Sequence, residues 1–200
     1  MSEKIRMEES KMRLNLKRVI VGLAAVAFLG TGSVFASTPG PSPDSSAYLS
    51  ERASTLLAEV QEEATGLTLH AETLSTFARD SKHSWQSHAF YLDKVKGHIN
   101  AVGERTAELQ RIRSAVLPWQ QKAITEVTGY AAKVAASTQA AIVHLRENQD
   151  RLMISEYRDH LTSIADRSED MKQAVDKFLD YHEAQEKSQQ LKNELELSGD

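Results

Sequence analysis

Seven histidines, at positions 70, 83, 88, 98, 144, 160 and 182, are the side chains best suited to chemistry near neutral pH. Imidazole ligates zinc, copper or nickel and titrates close to neutrality, so metal binding and acid sensing are the two chemistries it offers. Di-iron bundle proteins need Glu-x-x-His on two helices, which aims both side chains at one core position. Here the residues three before each histidine are Leu67, Asp80, Trp85, Val95, Ala141, Tyr157 and Leu179. None is glutamate, which argues against that centre.

Other reaction chemistry is missing from the sequence. There is no Gly-x-Ser-x-Gly, no glycine-rich phosphate loop and no His-Glu-x-x-His. With no cysteine there is no thiol nucleophile, disulfide framework, Cys-ligated zinc, iron–sulfur cluster or acylated lipoprotein site. Adjacent carboxylates such as Glu62-Glu63 and Glu169-Asp170 point in different directions on a helix, so they read as solvated faces rather than an acid/base couple. No catalytic residue and no cofactor is expected.

The elements that would carry the histidines are legible from periodicity. Of 200 residues 40% are hydrophobic and 6% aromatic, with nine Gly and four Pro, a composition that builds a helical domain held by packing. Seven-residue repeats run through four segments. The first carries Ala53, Val60, Leu67 and Leu74, flanked by Leu56, Leu57, Ala64, Ala71 and Phe77. The second pairs Trp85, Leu92, Ile99, Thr106 with His88, Val95, Val102, Leu109, Val116. The third pairs Ile124, Ala131, Thr138, Leu145 with Val127, Val134, Ala141, and the fourth Leu161, Ser168, Val175 with Ile164, Met171, Phe178.

Breaks fall at the polar run 80–84, at Leu117-Pro118 and at Asn148-Gln149-Asp150. Helices are predicted over about 46–80, 84–116, 118–149 and 155–195. Short connections force antiparallel neighbours, giving an all-α, up-down-up-down four-helix bundle with coiled-coil-like packing over 47–197. Trp85 and Trp119, each in a first turn, are expected to plug opposite ends of the core. The fourth helix outruns its partners, leaving a tail with Leu191 and Leu195 that reads first as a fraying, charge-rich terminus and second as a seam for self-association or a protein partner.

That topology gathers His83, His88, His144 and His160 at one end, with Asp80, Glu147, Asp150, Glu156 and Asp159 nearby. These four histidines are the candidate metal ligands, and a pH-responsive bundle end is the companion expectation. His88 lies on a seam row and is expected to point inward.

Residues 1–36 read as an address. Six Lys and Arg lie within residues 1–18, the stretch Val19 to Ala36 is uncharged, and Val34-Phe35-Ala36 supplies a cleavage-type exit. A secretory signal peptide is expected, and with it a periplasmic or secreted protein that meets a membrane only through this segment. Residues 37–46, with three of the four prolines, are expected to be a flexible linker. Beyond the leader the chain holds 18 basic and 25 acidic residues, a net charge of −7, which argues against nucleic acid or an anionic lipid surface as partner. A bundle that opens onto lipid fits the amphipathic stripes but not that charge.

Ser84-Trp85, Pro118-Trp119-Gln120-Gln121-Lys122-Ala123-Ile124, Thr138-Gln139-Ala140-Ala141 and Glu147-Asn148-Gln149 carry a resemblance. Over roughly 47–197 the chain resembles exported helical proteins of acidobacterial type. The resemblance implies an envelope or secreted bacterial protein and brings no activity with it. Residues and resemblance together lead to a non-enzymatic interaction or structural module.

Overall fold

The computed structural model describes residues 43–197. Four helices occupy them: α1 Pro43–Phe77, α2 Trp85–Ile112, α3 Pro118–Glu147 and α4 Ser155–Leu197, with a 3-10 turn, Arg113–Ala115, ending α2. No strand occurs among the described residues. Each helix packs along its sequence neighbours, α1 also packs along α4, and the diagonal contacts are sparse. This is the square of a four-helix bundle with antiparallel neighbours.

The heptad rows are why these segments pack this way. Nearly every residue on them is buried, from Ala53, Val60, Leu67 and Leu74 on α1 to Ile164, Met171 and Phe178 on α4. Only Trp85 and Phe77 stay half-buried. Small residues in α3, Ala131 and Ala141 among them, keep its interfaces shallow. A few polar groups cross-link the square. Gln61 Nε2 donates to Asp176 Oδ1 at 2.7 Å, tying α1 to α4. Ser137 and Ser163 hydroxyls meet at 3.0 Å between α3 and α4.

Capping sets the helix ends. Ser84 has extended φ/ψ of −77° and 161° and its hydroxyl accepts from Ser87 N at 3.4 Å, so α2 starts at Trp85. Pro118 opens α3, where a missing N–H costs nothing. Two bounds correct the sequence expectation. Residues 43–46, expected in the linker, are the first turn of α1, because Pro43-Asp44-Ser45-Ser46 is itself a helix-starting string. At its other end α1 stops at Phe77, short of 80. There the Asp80 carboxylate accepts from Lys82 N at 3.0 Å, a local turn that competes with the helix. The expected signal peptide, 1–36, and linker residues 37–42 lie outside the described residues.

α4 is 43 residues long against 28 to 35 for the others. Its last ring contact with another helix is His182, stacked on Trp119 with ring centroids 4.9 Å apart. Residues 183–196 are all exposed, an arm of about 20 Å at 1.5 Å per residue. No described helix is long and apolar enough to cross a membrane.

Candidate functional site

The connections α1–α2 and α3–α4 share one end of the bundle, and the rings there touch in series. His83 lies flat on Phe77, centroids 3.7 Å apart and planes 11° apart. Phe77 meets His88 edge-on at 6.0 Å and Tyr91 edge-on at 5.1 Å. His88, 1% exposed, approaches the Tyr157 hydroxyl through Nδ1 at 3.2 Å. His144 stacks on the same phenol, centroids 5.0 Å apart and planes 21° apart. Tyr157 is fully buried and stands one heptad before Ile164, Met171 and Phe178, so its row was legible.

Burial sets the protonation of this end. Desolvation, with a smaller contribution from His83, holds the His88 pKa down from 6.5 to about 4. Desolvation also pushes the Tyr157 phenol above its ordinary range. Neutral His88 and un-ionised Tyr157 therefore share one hydrogen bond. His144 is 7% exposed and its Nε2 has no partner.

Three of the four predicted ligands thus come to one end, but around aromatic rings rather than around a point. His160 is joined to none of them by a hydrogen bond, ion pair or ring contact. Among the described residues no three His, Asp or Glu side chains are grouped to hold a metal ion. The expected set His83, His88, His144 and His160 is corrected accordingly: His83 contacts Phe77, and His88 and His144 contact Tyr157, rather than one another's nitrogens.

A second imidazole array lies along the outer α1–α2 groove, on rows flanking the core. Glu63, His70 and Phe77 on α1 and Tyr91, His98 and Arg105 on α2 recur every seven residues. His98 Nδ1 meets Glu63 Oε2 at 2.8 Å, and His98 Nε2 meets His70 Nδ1 at 3.2 Å. His70 in turn lies 5.9 Å from the Tyr91 ring. Arg105 pairs with Glu59 at 3.2 Å and Glu63 at 3.8 Å, and Arg52 joins Glu108 at 2.8 Å. The His98 ring covers Gly66: a Cβ at that position would come within 2.6 Å of its Cε1. Glycine is required there for close approach, not for conformation. Burial first, then the neighbouring His98 and Lys94, lowers the His70 pKa, outweighing a hydrogen bond to the Gly66 backbone.

The opposite end is occupied by Gln120. Its side chain accepts from Leu117 N at 3.0 Å and donates to Ser50 O at 2.7 Å and Ser54 Oγ at 3.0 Å. A shallow open cleft of about 370 Å³, lined by Ser50, Ser54, Gln120, His182 and Glu186, lies there. It holds no nucleophile–base pair. Trp119 is half-buried beside it, covering the flank of α4 through His182 and Tyr181.

Comparison with protein-family models, curated proteins and solved structures returns no match.

Proposed function

We propose that this chain is an exported, non-enzymatic helical bundle of acidobacterial type, acting as an interaction or structural module of the cell envelope. The observation that carries the reading is the division of labour along α4. Up to His182 the helix is sealed into a close-packed core, and after it residues 183–196 are exposed. A core filled by Leu, Val, Ile and Ala leaves no chamber for a reaction, while a projecting arm carrying Leu191 and Leu195, 51% and 74% exposed, suits contact with a protein. The basic-then-apolar stretch within 1–36 supports export.

Two measurements test this. Expression in a bacterial host, with mass spectrometry of the envelope fraction, is expected to return a species beginning at Ser37. Cross-linking from Leu191 and Leu195 is expected to capture an envelope protein or a second copy. A full-length cytoplasmic product, or a strict monomer without cross-links, overturns the reading.

A second reading, a pH-responsive bundle end, is favoured by one observation. His88 is buried in its neutral form between Phe77 and Tyr157, so acid acts directly on the packing of three helices. Loss of near-ultraviolet circular dichroism between pH 6 and 4, with helicity retained, would support it, and an unchanged signal would end it.

A further inference from the structure

The α1–α2 groove carries an arrangement that neither reading uses. His98 has its two ring nitrogens committed differently. Nδ1 faces the Glu63 carboxylate at 2.8 Å, and a carboxylate there accepts an N–H, which leaves Nε2 with its lone pair. That lone pair faces His70 Nδ1 across 3.2 Å. A histidine backed by a carboxylate on one nitrogen and open on the other is the arrangement that metal-ligating histidines adopt, because the carboxylate fixes the tautomer and raises the ring's basicity.

Distances fit the same reading. Two imidazole nitrogens sharing a tetrahedral zinc ion, each about 2.05 Å from it, stand about 3.3 Å apart, with ring centroids about 5.2 Å apart. Rings meeting head-on along a hydrogen bond of this length have centroids about 5.5 Å apart. Here the nitrogens are 3.2 Å apart and the centroids 5.1 Å. The planes are tilted by only 21°, and one nitrogen of each ring borders the gap. Both histidines are half-buried, accessible to an ion and its waters, yet fixed on two helices. Gly66 supplies the room that seats the His98 ring.

We propose that His70 and His98 form a two-imidazole site for a divalent transition-metal ion of borderline softness, Zn²⁺ or Cu²⁺, with Glu63 orienting His98 from behind. The ion takes His98 Nε2 and His70 Nδ1 in place of the N–H that His70 Nδ1 donates to His98 Nε2 in its absence; that proton moves to His70 Nε2, and water fills the remaining positions. Formal charge around the site is balanced, with Glu59 and Glu63 against Arg105 and Lys94. Selectivity therefore comes from nitrogen donors rather than from field, which excludes Mg²⁺ and Ca²⁺.

The test is calorimetric titration of the untagged full chain with zinc chloride and, separately, copper(II) chloride at pH 7.5. Copper is also followed by electron paramagnetic resonance for nitrogen hyperfine structure. One equivalent is expected to bind, with two nitrogens on copper. His70→Ala and His98→Ala are expected to abolish saturable binding, and Glu63→Gln to weaken it about tenfold. Gly66→Ala keeps every ligand but displaces His98, and is expected to lose the site with helicity intact. The double variant His83→Ala/His160→Ala is expected to bind as wild type. Absence of saturable binding, wild-type binding in His70→Ala, His98→Ala or Gly66→Ala, or loss of binding in the double variant each overturns the proposal. A failure to fold in one histidine variant leaves Glu63→Gln and Gly66→Ala to decide.

Discussion

Acid should loosen this bundle through one residue, and the size of the effect follows from its burial. His88 is 1% exposed and has its pKa lowered from 6.5 to about 4. Above pH 6.5 neither the folded nor the unfolded chain protonates this imidazole, so its contribution to stability is complete. Below 6.5 the unfolded chain takes up a proton that the folded chain refuses, and stability falls until about pH 4, where both are protonated. The interval corresponds to about 3 kcal/mol, a large part of the 5–15 kcal/mol typical of a domain, roughly.

The groups facing His88 keep the sign. His83, on the α1–α2 connection, repels the imidazolium. Tyr157 from α4 is un-ionised, Phe77 from α1 is uncharged, and His144 from α3 stacks on that phenol without a hydrogen bond to His88. Urea unfolding followed by helical circular dichroism at pH 7.5, 6, 5 and 4 measures the fall. The reference is the double variant His88→Leu/Tyr157→Phe, which removes both partners and leaves no orphaned hydroxyl. Wild type is expected to lose about 3 kcal/mol more than the double variant between pH 7.5 and 4. Parallel curves would refute the assignment of a buried neutral imidazole.

Three further expectations follow from burial and hydrogen bonding. The Thr138 hydroxyl is fully buried without a partner, so Thr138→Val should stabilise by about 1 kcal/mol, read as a higher melting temperature. Gln120→Ala removes two hydrogen bonds that join α3 to α1 and one that caps the start of α3, and should cost about 2 kcal/mol in urea titration. Truncation after His182 removes residues 183–196, all exposed, so the stability of the remainder should change by less than about 0.5 kcal/mol. A larger loss in that last case would place core packing beyond His182.

The core was legible because helical packing is local arithmetic. Once Leu67, Leu92, Ile124 and Ile164 sit on seven-residue rows, burying those rows fixes four helices and their neighbours. Helix bounds were less legible at Pro43 and Phe77, where a proline starts a helix and an aspartate turn competes for its end. The inward position of His88 followed from its row. The partners around it did not, since which residue of α4 lies level with His88 depends on the register between helices far apart in sequence. The Glu63–His98–His70 array escaped for the same reason. Each member repeats with period seven on its own helix, but only the sliding offset of α1 against α2 brings positions 63, 70 and 98 together.

α4 is one uninterrupted spiral of peptide hydrogen bonds that passes from a dry interior into open water. Helix of that length gains little stability without burial, so the turns beyond His182 are expected to open more readily than those before it. Amide deuteration along this single element should therefore run as a ramp, fast beyond residue 183 and slow by Phe178, rather than as one rate. Proteases are expected to cut within the exposed residues 183–196 without melting the rest.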